Sequence, residues 1–311
     1  MSAIDGACLR LRAALFAIAL SLGGCTVLAP INAINTMTPG DTGTERVVHG
    51  AAFGPDPRQR LDVYAPARIQ GKRPVLVFFY GGGWSSGHRG DYAFVADAYA
   101  ARGYVVVVPD ARLVPDVRFP AFLEDGALAL RWVQDNIAAY GGDPGALALM
   151  GHSSGAYTAI MLAMDQRWLR AAHADATAVR AVVGVSGPYD FTLPAPASIS
   201  RRRAEAAFVG ADIHAVQPID FVRADAPPAL IITGDQDGRV DWHNSVRFAD
   251  ALSRTGAETE LKVYPGVGHV GSVLALGKPW RGEAPVLSDT LAFLAAHLPP
   301  AQAATLAMLS D

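Results

Sequence analysis

A serine with glycine two positions away on either side, Gly151-His152-Ser153-Ser154-Gly155, stands between an apolar run, Ala146 to Met150, and a helix-forming stretch, Ala156 to Met164. A strand, a tight glycine-flanked turn and a helix would lift the Ser153 hydroxyl clear of a sheet, where a base and a reactant can reach it. An unassisted hydroxyl is a poor nucleophile at neutral pH, so a base is required. Among the eight histidines, His269 is the best placed, because it ends the glycine-rich loop Tyr264-Pro265-Gly266-Val267-Gly268-His269 directly after the last predicted strand. His152 is next to the serine and should point elsewhere, and His243 opens a helix as a surface or capping residue. A base of this kind needs a carboxylate to fix its tautomer. Asp237, in Gly234-Asp235-Gln236-Asp237-Gly238-Arg239-Val240, is preferred. Asp235 is nearer the strand end and suits a turn brace, and Asp241 is the other rival. An oxyanion formed on attack needs preorganised donors. The backbone N–H groups of Gly82, Gly83 and Ser154 are assigned that role, and Trp84 either lines the pocket or packs beneath the glycine loop.

These residues need a sheet whose strand ends converge. Val75 to Phe79, Tyr104 to Val108, Ala146 to Met150, Ala181 to Val185, Ala229 to Thr233 and Glu260 to Tyr264 read as strands, several of them continuous apolar runs suited to burial on both faces. Glu45 to His49 and Arg60 to Tyr64 read as an antiparallel opening. Helices are predicted over Asp91 to Arg102, Ala121 to Tyr140, Ala156 to Met164, His243 to Arg254 and Val286 to His297. The second of these carries Leu123, Ala127, Leu130, Val133 and Ile137 on one face. Alternation of strand and helix predicts an α/β fold with a mainly parallel sheet and helices on both faces. The chemistry-bearing turns all follow strands, and in an open α/β sheet ligands bind at those carboxyl ends. The stretch 188–228 is irregular, with a helix near Ala204, and reads as a small cap or substrate-pocket insert.

The chain of 311 residues is 51% apolar with a net charge of −3, enough for one large domain. Charges are scattered, which argues against nucleic-acid binding. Arg201-Arg202-Arg203, the densest basic run, reads as a solvated helix face. The two cysteines, Cys8 and Cys25, both precede the folded body, so neither a disulfide within that body nor a zinc site is expected. Arg10 and Arg12, the apolar Ala13 to Leu22, and Leu22-Gly23-Gly24-Cys25 resemble a bacterial lipoprotein signal. That resemblance implies cleavage after residue 24, lipidation of Cys25 and a tether through residue 44, with the protein held at the cell envelope; an ordinary secretory signal or an uncleaved anchor is the alternative. The body is assigned to 45–299 and a C-terminal tail to 300–311.

The order Ser153, Asp237, His269 and the glycine loop resemble an α/β-hydrolase of the carboxylesterase type, similar to hormone-sensitive-lipase-like and feruloyl/acetyl-xylan-esterase-like enzymes. The resemblance spans roughly Leu61 to Leu298. It includes Asp110 to Asp116, Phe119-Pro120-Ala121, Asp125 and Trp132 as scaffold, with Asp110 and Arg112 in a buried or half-buried polar network rather than as catalysts. It implies an ester hydrolase acting on small or medium acyl esters through an acyl-enzyme, with no metal or cofactor. Amide hydrolysis on the same triad and a non-catalytic envelope binding protein remain open alternatives. The lipase-like families place histidine before the three glycines, where this chain has Tyr80. The loop Tyr80 to Trp84 is also similar to kynurenine-formamidase-like branches.

Overall fold

The computed structural model describes residues 40–193 and 199–299, with the side chains of 199 and 200 left aside. The leader, Cys25 and the tail 300–311 lie outside the described residues. The strands are β1 (Thr44–Ala52), β2 (Arg60–Pro66), β3 (Arg73–Phe79), β4 (Val105–Pro109), β5 (Gly142–His152), β6 (Val179–Val185), β7 (Ala229–Gly234) and β8 (Thr259–Tyr264). The helices are α1 (Ala93–Ala100), α2 (Ala121–Asn136), α3 (Ser154–Met164), α4 (Arg167–Ala171), α5 (Ile199–Ala207), α6 (Ile213–Val216), α7 (His243–Arg254), α8 (His269–Leu274) and α9 (Val286–His297).

One sheet runs in the order β1-β2-β4-β3-β5-β6-β7-β8. β1 pairs antiparallel with β2, and β2 with β4; every pairing from β4 through β8 is parallel. The expected mainly parallel α/β fold is therefore observed. Period-two alternation divides the central strands between two cores. Leu76, Phe78, Val106, Val108, Ala148 and Met150 face a layer containing Phe94, Tyr99, Phe293 and Leu294 from α1 and α9. Val75, Val77, Val105, Val107, Leu147 and Leu149 face Leu130, Val133, Ile160, Leu162, Phe248 and Leu252 from α2, α3 and α7. With both faces covered, unbroken valine and leucine runs are what the strands require.

Helix α3 is buried along its whole length, from Ser154 to Met164, which explains its lack of a polar face. It backs the turn that carries Ser153. The tether read through residue 44 gives way earlier to folded structure. Asp41 lies in an ion pair with Arg281 and 3.5 Å from Arg102, and Thr44 already begins β1.

Between β6 and β7 the chain carries α5, α6 and a short turn at Pro218–Phe221. Phe191 and Phe208 from this segment pack with Trp84 and Tyr157, with ring centroids 5.0–5.9 Å apart along that cluster. The Tyr157 hydroxyl donates to the Val216 carbonyl at 2.7 Å, which ties α3 to the segment above it.

Candidate active site

Ser153 sits at the junction of β5 and α3 with φ 56° and ψ −123°, a conformation that a side chain rarely adopts. The turn holds because glycine lets the backbones close on one another. A Cβ on Gly155 would lie 2.0 Å from the Phe79 carbonyl oxygen and 2.5 Å from that of Tyr80. Contact this close packs the nucleophile turn directly against the end of β3 and the glycine loop that follows it.

His269 begins α8, after the loop that leaves β8. Its Nε2 is 2.9 Å from Ser153 Oγ, and its Nδ1 is 2.7 Å from Asp237 Oδ2. A carboxylate only accepts, so Nδ1 carries the proton and Nε2 is left to receive one from the serine. The other Asp237 oxygen, Oδ1, accepts the N–H groups of Arg239 and Val240, each at 2.9 Å. Burial raises the Asp237 carboxyl, but the hydrogen bond and charge of His269, together with these two amides, hold it below its ordinary value. Asp237 and His269 are each 7% exposed, so water competes little for their contact.

The rival groups lie at the margins. Asp235 Oδ1 accepts the Gly266 N–H at 2.7 Å, so it stitches the acid turn to the histidine loop. Asp241 Oδ1 holds the His243 amide at 3.0 Å and lies 2.7 Å from its Nδ1, at the exposed start of α7. Among the described residues His152 makes no hydrogen bond to the serine side chain, but it has a structural task that its sequence position did not reveal. Its Nε2 donates to the His269 carbonyl at 3.0 Å, which also accepts the Ser272 hydroxyl at 2.8 Å, and the two imidazoles lie 4.9 Å apart. Burial, then the neighbouring His269, lower the His152 pKa to about 3, so the brace is neutral.

The glycine loop covers the serine from the other side. A Cβ on Gly82 would lie 1.9 Å from the Ser86 carbonyl oxygen, so no other residue fits there without backbone movement. Among the described residues the amides of Gly82 and Ser154 have no hydrogen-bond partner, whereas the Gly83 amide donates to Ser154 Oγ at 3.0 Å. Two of the three expected donors are thus free, and the third holds the Ser154 side chain. Tyr80 anchors the loop. Its hydroxyl donates to Asp110 Oδ1 at 2.7 Å, and Asp110 also accepts the Arg89 N–H at 2.7 Å and pairs with the Arg89 guanidinium. Arg112 pairs instead with Asp125, whose Oδ1 accepts from Gln59 at 2.7 Å. The two groups are joined through the 56–59 turn. Arg58 Nη2 donates to the Tyr80 hydroxyl at 3.4 Å, the Arg58 amide to the Asp56 side chain, the Asp56 amide to the Gln59 side chain, and Gln59 in turn to Asp125. One polar network therefore runs from Asp110 to Arg112.

A cavity of about 610 Å³ opens over Ser153 and His269, with Trp84 both lining it and 7% exposed within the aromatic cluster. The basic run at 201–203 needs correction. Arg201 and Arg202 are exposed, but Arg203 turns inward, half-buried, onto the glycine loop. Successive helical residues are about 100° apart, so three in a row cannot share one solvated face. Among the described residues no group of three or more His, Cys, Asp or Glu side chains is placed to hold a metal ion.

With this geometry established, comparison with known proteins gives a consistent picture. Residues 61–252 match the BD-FAE family. The carboxylesterase NlhH of Mycobacterium tuberculosis is 32% identical over 247 residues, covering 71% of this chain and 74% of that protein. The probable isoprenylcysteine alpha-carbonyl methylesterase ICMEL1 of Oryza sativa subsp. japonica is 29% identical over 257 residues, covering 77% of this chain and 60% of the plant protein. The chain therefore spans only about three-fifths of that relative's length. Among solved structures, esterase B from Lactobacillus Rhamnosis superposes with a TM-score of 0.78 at 21% identity, over 91% of this chain and 95% of that one. The hyperthermophilic esterase from the archaeon Pyrobaculum calidifontis gives 0.70 at 24% identity, over 86% and 90%.

Proposed function

The chain belongs to the BD-FAE family of α/β-hydrolases, and from that premise we propose that it is a serine carboxylic-ester hydrolase in which Ser153 is the nucleophile, His269 the general base and acid, and Asp237 the group that orients His269. The observation that carries this reading is the continuous relay Ser153 Oγ–His269–Asp237, at 2.9 and 2.7 Å, beside the free amides of Gly82 and Ser154. Ser153 Oγ attacks the ester carbonyl as its proton passes to His269 Nε2. The tetrahedral oxyanion is held by the Gly82 and Ser154 N–H groups, with Gly83 keeping the Ser154 side chain in place. His269 then protonates the departing alcohol, and an acyl-enzyme remains on Ser153. A water deprotonated by His269 releases the acid and restores the serine. Asp237, ionised and nearly dry, stabilises the imidazolium formed in both halves.

The cavity of about 610 Å³ supports small or medium acyl esters, with the segment 188–228 acting as its cap. The names of the relatives, carboxylesterase and methylesterase, point to the same bond type. The leader resemblance supports attachment at the cell envelope through a lipid on Cys25.

The test is hydrolysis of p-nitrophenyl esters from acetate to palmitate by residues 26–311, beside Ser153→Ala. Activity peaking at short or medium chains, and reduced by about 10⁴-fold or more in the variant, is expected. Undiminished turnover in folded Ser153→Ala would overturn the assignment.

A further inference from the structure

Among the described residues, two arginines enter the reacting cavity with no carboxylate paired to either. Arg203 comes from α5, and its stem lies on the glycine loop: a Cβ on Gly83 would be 2.7 Å from Arg203 Cδ, and Arg203 Nη1 is 3.4 Å from the Gly82 carbonyl oxygen. Arg239 comes from the acid turn, where its N–H binds Asp237 Oδ1 at 2.9 Å. Both side chains line the cavity over Ser153. Among the described residues the Arg239 guanidinium has no hydrogen bond or ion pair, and Arg203 has only that long contact to a carbonyl.

Their isolation is specific to these two. The other ionised side chains lining the cavity are matched: Arg201 with Glu205 at 2.8 Å, Asp190 with Arg247 at 2.8 Å, and Asp241 with His243 at 2.7 Å. Asp237 is spent as well, one oxygen on His269 and the other on two amides. Burial holds both guanidiniums below their ordinary pKa; at Arg239 the charge of Asp237 offsets part of this and that of Arg203 adds to it. An arginine stays charged even so. Two half-desolvated cations sharing one cavity repel each other and lack hydrogen-bond acceptors, and an anion between them relieves both costs. The planar fork of arginine matches a carboxylate with two parallel hydrogen bonds.

We propose that Arg203 and Arg239 form a recognition site for a carboxylate carried by the substrate, so that the ester cleaved at Ser153 is an anionic one, such as a half-ester of a dicarboxylic acid or an ester of a hydroxy acid. This rests on the esterase reading above and narrows it.

Two matched pairs of esters test it, each compared by kcat/KM after division by its spontaneous hydroxide rate. Mono-4-nitrophenyl adipate against 4-nitrophenyl hexanoate places the carboxylate on the acyl side. 4-Acetoxybenzoate against 4-acetoxybenzamide places it on the alcohol side. The wild type is expected to favour the anionic member of at least one pair by about tenfold or more. Arg203→Gln and Arg239→Gln should each cut that ratio by at least about fivefold, and Arg239→Lys should restore part of it. Ratios near or below one in both pairs, or a preference that survives both glutamine variants, would overturn the anionic site and leave the esterase reading intact. A folded wild type that cleaves no ester in either pair would take down both.

Discussion

Tyr80→Phe removes a single oxygen at the base of the glycine loop and leaves the ring, which stacks on Tyr92 with centroids 5.8 Å apart. Burial, followed by the negative charge of Asp110, raises the Tyr80 phenol well above its ordinary value, so it is a donor at any working pH. It donates a hydrogen bond to Asp110 Oδ1 at 2.7 Å. Asp110 is 3% exposed, but in the variant it keeps the Arg89 N–H at 2.7 Å and the Arg89 guanidinium. The substitution therefore costs one short hydrogen bond to a charged group, about 1.5–3 kcal/mol, along with the long 3.4 Å contacts of the hydroxyl with the Gly87 carbonyl and with Arg58 Nη2, which keeps that carbonyl at 2.9 Å. It does not strand a buried charge, which would cost ~3–5 kcal/mol. In a domain of this size the loss corresponds to a fall in Tm of roughly 3–12 °C. The proposed oxyanion donors begin two residues along the chain, so the loosened loop should also lower kcat by about tenfold with KM little changed, less than the ~10²–10³ expected for deleting one donor outright. Urea and thermal unfolding, with steady-state turnover of a short-chain ester, measure both effects. A variant with the wild-type unfolding midpoint and the wild-type kcat would show that Tyr80 does not brace this loop.

Two further outcomes follow from features of the same chain. His152 has a folded-state pKa of about 3 against about 6.5 when unfolded, so as pH falls the unfolded chain takes the proton first. The stability it contributes is complete above pH ~6.5 and drains away toward pH ~3, with about 2 kcal/mol lost between pH 7.5 and 5. His152→Gln retains an N–H for the His269 carbonyl but titrates no proton; its urea midpoint should therefore fall less than that of the wild type over this range, and equal falls would remove His152 as the cause. Expression of the full chain in a bacterium fed an alkyne fatty acid should label the protein, and Cys25→Ala should abolish the label; an unlabelled wild type recovered from the medium would favour simple secretion.

How far the sequence disclosed this arrangement depended on whether a signal was local. Strands covered on both faces must be apolar throughout, and the valines of β4 or the leucines of β5 announce that condition without any tertiary knowledge. The five residues read as one face of the helix predicted over 121–140 are all buried, although Ile137 lies in the short turn just past α2. Where a boundary moved, two signals shared residues. Gly141 ends the helical stretch at φ 80°, and β5 begins immediately at Gly142, paired with Arg73, so a helix stop was also a strand start. Similarly, α1 begins at Ala93 because His88 caps a preceding short turn, Arg89–Tyr92. The relay residues could be singled out because glycine turns after strands are uncommon and chemically suggestive. Tyr80, His152 and Arg203 depend instead on partners 30, 117 and 121 positions away along the chain. Nothing in their immediate neighbours indicates a carboxylate, a distant carbonyl or a facing cavity. Strand order was equally hidden, since it is set by crossovers and leaves no mark on any one strand.

The way Gly155 seats against the carbonyls of Phe79 and Tyr80 welds the nucleophile turn and the loop above it into one piece. The walls that meet the rest of the reactant come from elsewhere, above all from the segment between β6 and β7. On the proposed reading, the atoms of bond cleavage lie in these turns, while much of the wall that would choose the substrate comes from that segment, with Arg239 of the acid turn taking part in both. Selection on that segment can exchange an arginine for an aromatic, or widen a wall, without moving the atoms that break the bond. A lineage built on this plan can change its diet while keeping its teeth.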